Sequence, residues 1–211
     1  MILQESGSLL TDTSRREILR YMKIRPEAAD DALLARVEEE VEALALLAAP
    51  AAVCERYPLR MGDDGWLAVG PESLVSRTLS KNLSGCHAVW LFAATLGPGI
   101  DQRIRRSQSR DMLSALMDQA VGAAMTEEWV EIVCKKLRDS LLEGEVCPPR
   151  FSPGFGDLPL ERQEIFQKLL HMDRAIGIHL TESWLMLPAK SVTAFMGIRK
   201  EENESSEYTG Q

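Results

Sequence analysis

The residues with the clearest capacity for chemistry lie in one run, Arg150-Phe151-Ser152-Pro153-Gly154-Phe155-Gly156-Asp157-Leu158-Pro159-Leu160. Pro153 and Pro159 fix φ and remove two N–H donors, while Gly154 and Gly156 admit φ > 0 or the close approach of another molecule. Helix interior and central strand are both excluded, so the segment is a shaped loop. It has a cation at its start, an anion near its end and bare backbone between them. That suits a zwitterionic ligand, because peptide groups bind where no side chain intrudes. An arginine held by stiff backbone can also pair bidentately with a carboxylate. A rigid connector carrying an exposed arginine is the other reading.

The remaining reactive residue types are less organised. Glu127, Glu128 and Glu131 fall in a long helical pattern, where positions three and four apart share a face. They read as a solvated face or as carboxylates converging on one side. Cys54, Cys86, Cys134 and Cys147 contain no C-x-x-C pair. The first three sit among apolar neighbours as core residues, and Cys147, ahead of Pro148-Pro149, is the one expected to be exposed. His87 falls on a candidate buried strand, and His171 and His179 have no metal-ligand spacing. No G-x-S-x-G elbow, dinucleotide fingerprint or phosphate loop is present, so the sequence carries no signature of a self-sufficient hydrolase, kinase or dehydrogenase.

The elements that must position these residues can be read from periodicity. A short helix is expected over 15–21, opened by a capping box of Ser14 and Glu17 and striped by Ile18, Leu19 and Met22. A second, over 28–49, carries Leu33, Leu34, Val37, Val41, Leu44 and Leu47, with Glu38, Glu39, Glu40 and Glu42 as a solvated face. A strand over 51–59 and another over 66–69 make a hairpin across the turn at Gly62-Asp63-Asp64-Gly65. Pro71 is read as the first turn of a helix reaching Leu83. Residues 86–95 form an apolar run expected at the centre of the sheet. Gly97-Pro98-Gly99 turns into a short basic helix over 100–106, followed by a long helix over 110–143. There Ala115, Ala120, Gly122, Ala123 and Ala124 allow another element to approach closely. After the loop, 161–172 reads as helix and 176–181 as a strand, with 191–198 as its antiparallel partner. The order predicts an α+β fold: a mixed or antiparallel twisted sheet flanked by helices including one long helix.

The chain has 211 residues with a formal net charge of -8, from 32 acidic and 24 basic residues. A field of that sign argues against nucleic acid and anionic membrane as partners. No apolar run is long enough to span a bilayer, and the N-terminus shows no secretory signal, which points to the cytoplasm. A single domain is expected over 1–199, with 200–211 as an acidic disordered tail.

The loop residues Arg150-Phe-Ser-Pro-Gly-Phe-Gly-Asp-Leu-Pro-Leu-Glu-Arg-Gln163 resemble the activation (reactivation) domain of cobalamin-dependent methionine synthase, especially its stand-alone form. Ile176-Gly-Ile-His-Leu-Thr-Glu-Ser183, Pro188-Ala-Lys-Ser-Val192 and Ala93-Ala-Thr-Leu-Gly97 support the likeness, which covers nearly the whole chain apart from the tail. The resemblance implies S-adenosylmethionine lying along the Arg-x-x-x-Gly loop from Arg150 to Gly154. Arg150 would face the methionine carboxylate, and Ser152 and Gly154 the adenosine portion. Glu127, with Glu128 or Glu131 as register alternatives, would face the cationic end. Phe155, also assigned to the site, stands where full-length members usually carry tyrosine, which removes a hydroxyl. The chain ends soon after Ile198, without the tyrosine-bearing C-terminal segment of the long form.

The implied chemistry is repair of cob(II)alamin, in which one electron and a methyl group from S-adenosylmethionine restore methylcobalamin. No catalytic acid or base and no metal ligand in this chain is implied, because the contribution is positioning. No D-x-H-x-x-G motif is present, so cobalamin would be carried by a methionine synthase subunit or another corrinoid protein. A flavodoxin-like protein or ferredoxin would supply the electron. The chain would then be a subunit of a methyltransferase and not a self-sufficient enzyme. The alternative is a docking or assembly subunit for a corrinoid methyltransferase that does not itself use S-adenosylmethionine.

Overall fold

A computed structural model of the chain describes residues 1–5 and 9–201, with backbone alone described at 12–15. In chain order the elements are β1 (Ile2–Gln4), α1 (Asp12–Tyr21), α2 (Asp31–Ala45), β2 (Ala51–Met61), β3 (Trp66–Val69), β4 (Glu72–Val75), α3 (Arg77–Asn82) and β5 (Ala88–Thr95). They continue with α4 (Pro98–Gln108), α5 (Met112–Asp139), β6 (Glu145–Val146), α6 (Gln163–Leu170), α7 (Met172–Ile176), β7 (His179–Leu180), β8 (Met186–Leu187) and β9 (Ser191–Lys200). No helix among the described residues is long and apolar enough to cross a membrane.

The main sheet runs β4-β3-β2-β5-β9-β6, with β1 pairing on β2, and every pairing is antiparallel. This meets the expected α+β class and its antiparallel option. The apolar run is β5, at the centre between β2 and β9. Period-two alternation divides the core into two layers. Ala52, Cys54, Phe92, Ala94, Ala194 and Met196 point toward a layer built on α1, α2, α4 and α5. Val53, Leu91, Ala93 and Phe195 point toward the layer of α3, α6 and α7. There Phe166 meets Phe195 edge to face with centroids 4.7 Å apart, a geometry worth about 0.5–1.5 kcal/mol beyond area burial.

Several boundaries differ from expectation for local reasons. Helix α1 begins at Asp12, upstream of the expected box at Ser14 and Glu17, and the side chain of Ser14 lies outside the described residues. Asp30 caps α2 by accepting from Leu33 N at 2.8 Å, so that helix starts later than residue 28. The expected helix from Pro71 is corrected: Gly70-Pro71 is the two-residue turn of the β3–β4 hairpin, with Gly70 at φ 55, and helix begins only after Ser76. The expected strand over 176–181 shrinks to β7, because Ile176 ends α7 and Gly177 (φ 73) closes it in the left-handed region. Strand β7 pairs with β8, and β9 pairs with β5 and β6, so 191–198 is not its partner. A strand apolar on both faces belongs inside the large sheet.

The solvated glutamate face on α2 is also corrected at Glu40. Its carboxylate is buried and accepts from Arg103 Nη2 at 2.6 Å. Strand β9 reaches Lys200, and the remainder of the expected tail after residue 201 lies outside the described residues.

Candidate functional site

Helix α5 positions the acidic side of the site. Asp111 caps it, accepting from Leu113 N and Ser114 N at 3.1 Å each. The hydroxyl of Ser114, those two amides and Arg36 together hold the Asp111 carboxyl down at about 2. Trp129, Val130 and Val133 are fully buried against the sheet, and Trp129 Nε1 donates to Ala51 O at 3.1 Å. With that face committed, Glu127 and Glu131 project together on another face, as the i,i+4 spacing requires.

Arg150 rises to meet them. Its Nη2 donates to Glu127 Oε2 at 2.5 Å, and its Nε lies 3.9 Å from Glu131 Oε1. Glu128, the other register candidate, makes no ion pair with Arg150 among the described residues. The arginine side chain is 26% exposed against 49% for Glu127, so the pair sits at the rim of the protein and its geometry is set from the arginine's side. Beneath it, burial above all, with Glu131 adding to it, pushes the Cys134 thiol up to about 11. Burial likewise raises Cys54 to about 12 and half-buried Cys147 to about 11. Thiols held protonated at neutral pH are poor nucleophiles.

The loop itself is anchored at both ends. Phe151 and Phe195 exchange backbone hydrogen bonds of 2.8 Å, so the chain leaves Arg150 as a short bridge alongside β9. Pro153 and Leu158 are buried, and Gly154 N donates to Leu158 O at 2.8 Å, folding the loop back on itself. Gly154 adopts φ 93 and Gly156 φ 57. A Cβ on Gly156 would lie 2.5 Å from Thr78 Oγ1, so only glycine lets the loop touch α3. The Ser152 hydroxyl has no hydrogen-bond partner among the described residues. Phe155 is 66% exposed at the tip.

One sequence expectation changes here. Asp157 is not free to meet a ligand cation, because its carboxylate accepts from Ser76 Oγ at 2.6 Å, Arg77 N at 2.8 Å, Thr78 N at 3.1 Å and Thr78 Oγ1. Those bonds, the Ser76 hydroxyl first, hold its carboxyl well below the usual carboxylate range. Asp157 docks the loop on the start of α3, and the anion beside Arg150 is Glu127. The structure therefore brings Arg150, Glu127 and Glu131 together at the start of the loop and leaves Phe155 exposed at its tip.

The histidines stand elsewhere. His87 is not buried: its side chain is 46% exposed, and its Nε2 lies 3.1 Å from Glu145 Oε1. No group of three or more His, Cys, Asp or Glu able to hold a metal ion occurs among the described residues. Periodicity missed the polar cluster between α2, α4 and α5. In it Arg103 meets Glu40 and also Asp118 Oδ2 at 3.3 Å, while Ser107 Oγ donates to Asp118 at 2.5 Å. The only signal available was a single glutamate and a single aspartate at apolar-face positions.

The model of the family described as "Vitamin B12 dependent methionine synthase, activation domain" matches residues 79–209, more than half of the chain. A search of curated proteins gave no match. Among solved structures, one described as "Crystal Structure of the MetH Reactivation Domain bound to AdoHcy" is similar to this chain with a TM-score of 0.67 and 14% identity. The similarity covers 99% of this chain and 81% of that one. At that identity the likeness is one of fold: an antiparallel sheet flanked by helices, one of them long.

Proposed function

The chain belongs to the family of vitamin B12-dependent methionine synthase activation domains, and from that membership we propose that it binds S-adenosylmethionine along residues 150–154 and supports reductive remethylation of cob(II)alamin held by a partner. The observation that carries the reading is the Arg150–Glu127 pair. The methionine end of the ligand has a carboxylate and an ammonium, and inserting it between the two side chains would replace one ion pair by two, Arg150 with the carboxylate and Glu127 with the ammonium. Glu131, on the same face as Glu127, adds negative charge for the cationic sulfonium end. The MetH reactivation domain noted above was solved bound to AdoHcy, the same ligand without its methyl group.

The residues fit that ligand in further respects. The partnerless Ser152 hydroxyl can serve the adenosine portion, and Gly154 leaves backbone bare beside it. Bound S-adenosylmethionine supplies an electrophilic methyl. Together with one electron from a flavodoxin-like protein or ferredoxin, that methyl would supply what the conversion of cob(II)alamin to methylcobalamin consumes, with S-adenosylhomocysteine left over. This chain's residues orient the sulfonium and exchange no proton, so the work is positioning. The cobalamin belongs to a methionine synthase subunit or another corrinoid protein, because the sequence has no cobalamin-ligating D-x-H-x-x-G motif.

A second reading rests on the same pair. Glu127 already neutralises Arg150, and exposed Phe155 offers an apolar contact, so the loop also suits a docking subunit that uses no ligand. Calorimetric titration of S-adenosylmethionine into the isolated chain separates the two. Saturable binding lost in Arg150→Ala supports the first reading, and binding untouched by that change removes the site assignment. A chain that binds no ligand but captures a cobalamin-loaded partner supports the second. Titration with cob(II)alamin-loaded partner under reducing conditions, read as methylcobalamin absorbance, tests the full reaction.

A further inference from the structure

A second concavity lies away from Arg150, about 12 Å farther toward the start of α5 by the rise between residues 127 and 119. It encloses about 190 Å³ between α4, α5 and the turn before β9, and its walls include Arg105, Gln108, Gln119, Lys190 and Asp101, with Leu187 as an apolar side. We propose that this hollow is a binding site for a phosphate-type oxyanion, with Lys190 and Arg105 as its cations.

Lys190 is built into its place. Its stem crosses α5 where the helix carries no side chain: a Cβ on Gly122 would lie 3.0 Å from Lys190 Cε and 3.6 Å from Cδ. The backbone around it is tied down, with Leu96 N donating to Lys190 O at 3.0 Å and Ala189 N donating to Asp101 Oδ2 at 2.6 Å. Among the described residues its ammonium donates to two neutral oxygens, Gln119 Oε1 at 3.0 Å and Gln119 O at 3.3 Å. An ammonium has three donors, so one is left for a further acceptor. Burial pushes Lys190 below the usual lysine range, and Asp101 offsets that in part.

Arg105 has no ion-pair partner among the described residues, in a chain with more acidic than basic residues. Two residues earlier on the same helix, Arg103 is paired with both Glu40 and Asp118. Two cations face the hollow against one carboxylate, Asp101, so its net charge is positive and attracts an anion. The donors available are a planar guanidinium, one ammonium N–H and the amides of Gln108 and Gln119. That set matches the several oxygens of a phosphate better than the two of a carboxylate. Asp101, one oxygen of which is held by Ala189 N, can accept from a protonated phosphate oxygen. The volume has room for more than one phosphate group, so either free phosphate or the phosphate of a larger molecule can enter.

The test is calorimetric titration of the full chain at low ionic strength with inorganic phosphate, with ribose 5-phosphate and with acetate. Saturable phosphate binding, weakened at least tenfold in Lys190→Met and in Arg105→Gln and unchanged in Arg150→Ala, supports the site. Tighter binding of ribose 5-phosphate than of inorganic phosphate marks a phosphate-bearing molecule as occupant, and the reverse order marks the free ion. Absence of saturable phosphate binding, or binding as tight in both variants as in the wild type, overturns the proposal. Should Lys190→Met fail to fold, Arg105→Gln, at an exposed helix position, decides the matter alone. Because Arg150 is outside this hollow, the outcome is independent of S-adenosylmethionine binding.

Discussion

Arg150 Nη2 and Glu127 Oε2, 23 residues apart in the chain, meet at 2.5 Å where the loop leaves β6 and crosses α5. Neither side chain is fully exposed, so each orients the other before any ligand arrives. If S-adenosylmethionine inserts between them, both charges contribute. A hydrogen bond to a charged group is worth about 1.5–3 kcal/mol, or about 10- to 100-fold in affinity. Glu127→Gln is expected to weaken calorimetric binding of the ligand about 10-fold, and Arg150→Ala about 100-fold. The double variant should bind more weakly than either single variant, by less than the product of the two losses because the residues touch each other in the free protein. Wild-type affinity in Glu127→Gln would remove Glu127 from the site.

The two loop glycines are expected to respond unequally to a methyl group. Both have positive φ, where an L side chain costs about 1–2 kcal/mol. At Gly154 a Cβ meets only the flexible Leu160 Cδ1, at 3.5 Å. At Gly156 it meets the Thr78 side chain at 2.5–2.9 Å and must push the loop off α3. Urea denaturation should therefore show Gly154→Ala losing about 1–2 kcal/mol and Gly156→Ala losing more. Equal losses would mean that the loop does not depend on its contact with Thr78.

Arg103 bridges two acids that would otherwise repel inside the protein. Removing the cation from a buried pair costs about 3–5 kcal/mol, and because the Arg103 side chain is 35% exposed the low end applies. Arg103→Met is expected to lose about 3 kcal/mol in urea denaturation, and adding Asp118→Asn should recover part of it. Burial first, and then Asp118, already raise the Glu40 carboxyl, and losing Arg103 raises it further. A carboxyl with a raised folded pKa destabilises the protein above that pKa and ceases to do so below it. The gap between variant and wild type should therefore narrow as pH falls from neutral to about 5. A gap that widens on acidification would contradict this account.

The cap of α5 predicts the opposite dependence. The Asp111 carboxyl is held at about 2, first by the Ser114 hydroxyl and then by the amides it caps. A depressed folded pKa contributes stability above the unfolded value of about 3.9, and that stability is lost as pH falls toward the folded one. Asp111→Asn is expected to have a lower Tm than the wild type at neutral pH. The two curves should converge between about pH 4 and about pH 2. Parallel curves across that range would show that the carboxylate charge is not what caps the helix.

The sequence by itself determined the elements whose signals are local. A short uninterrupted apolar run reads as a strand covered on both faces, and it became β5. The spacing of apolar residues over 112–139 made α5 helical, and the prolines and glycines of 150–160 made a loop. The arginine of that loop and the glutamates at 127 and 131 were legible as residue types, though not as neighbours. Local signals were misread where two chemistries share them: a proline after a glycine opened a hairpin turn at Gly70-Pro71, not a helix. Only the tertiary structure decided which charges meet. Asp157 and Glu127 look alike in sequence, yet one caps α3 and the other faces Arg150. Glu40 lies among solvent-facing glutamates and is buried because Arg103 approaches from a different helix. Side-chain partners are set by how helices and sheet pack in three dimensions, and short-range periodicity carries no information about that long-range arrangement.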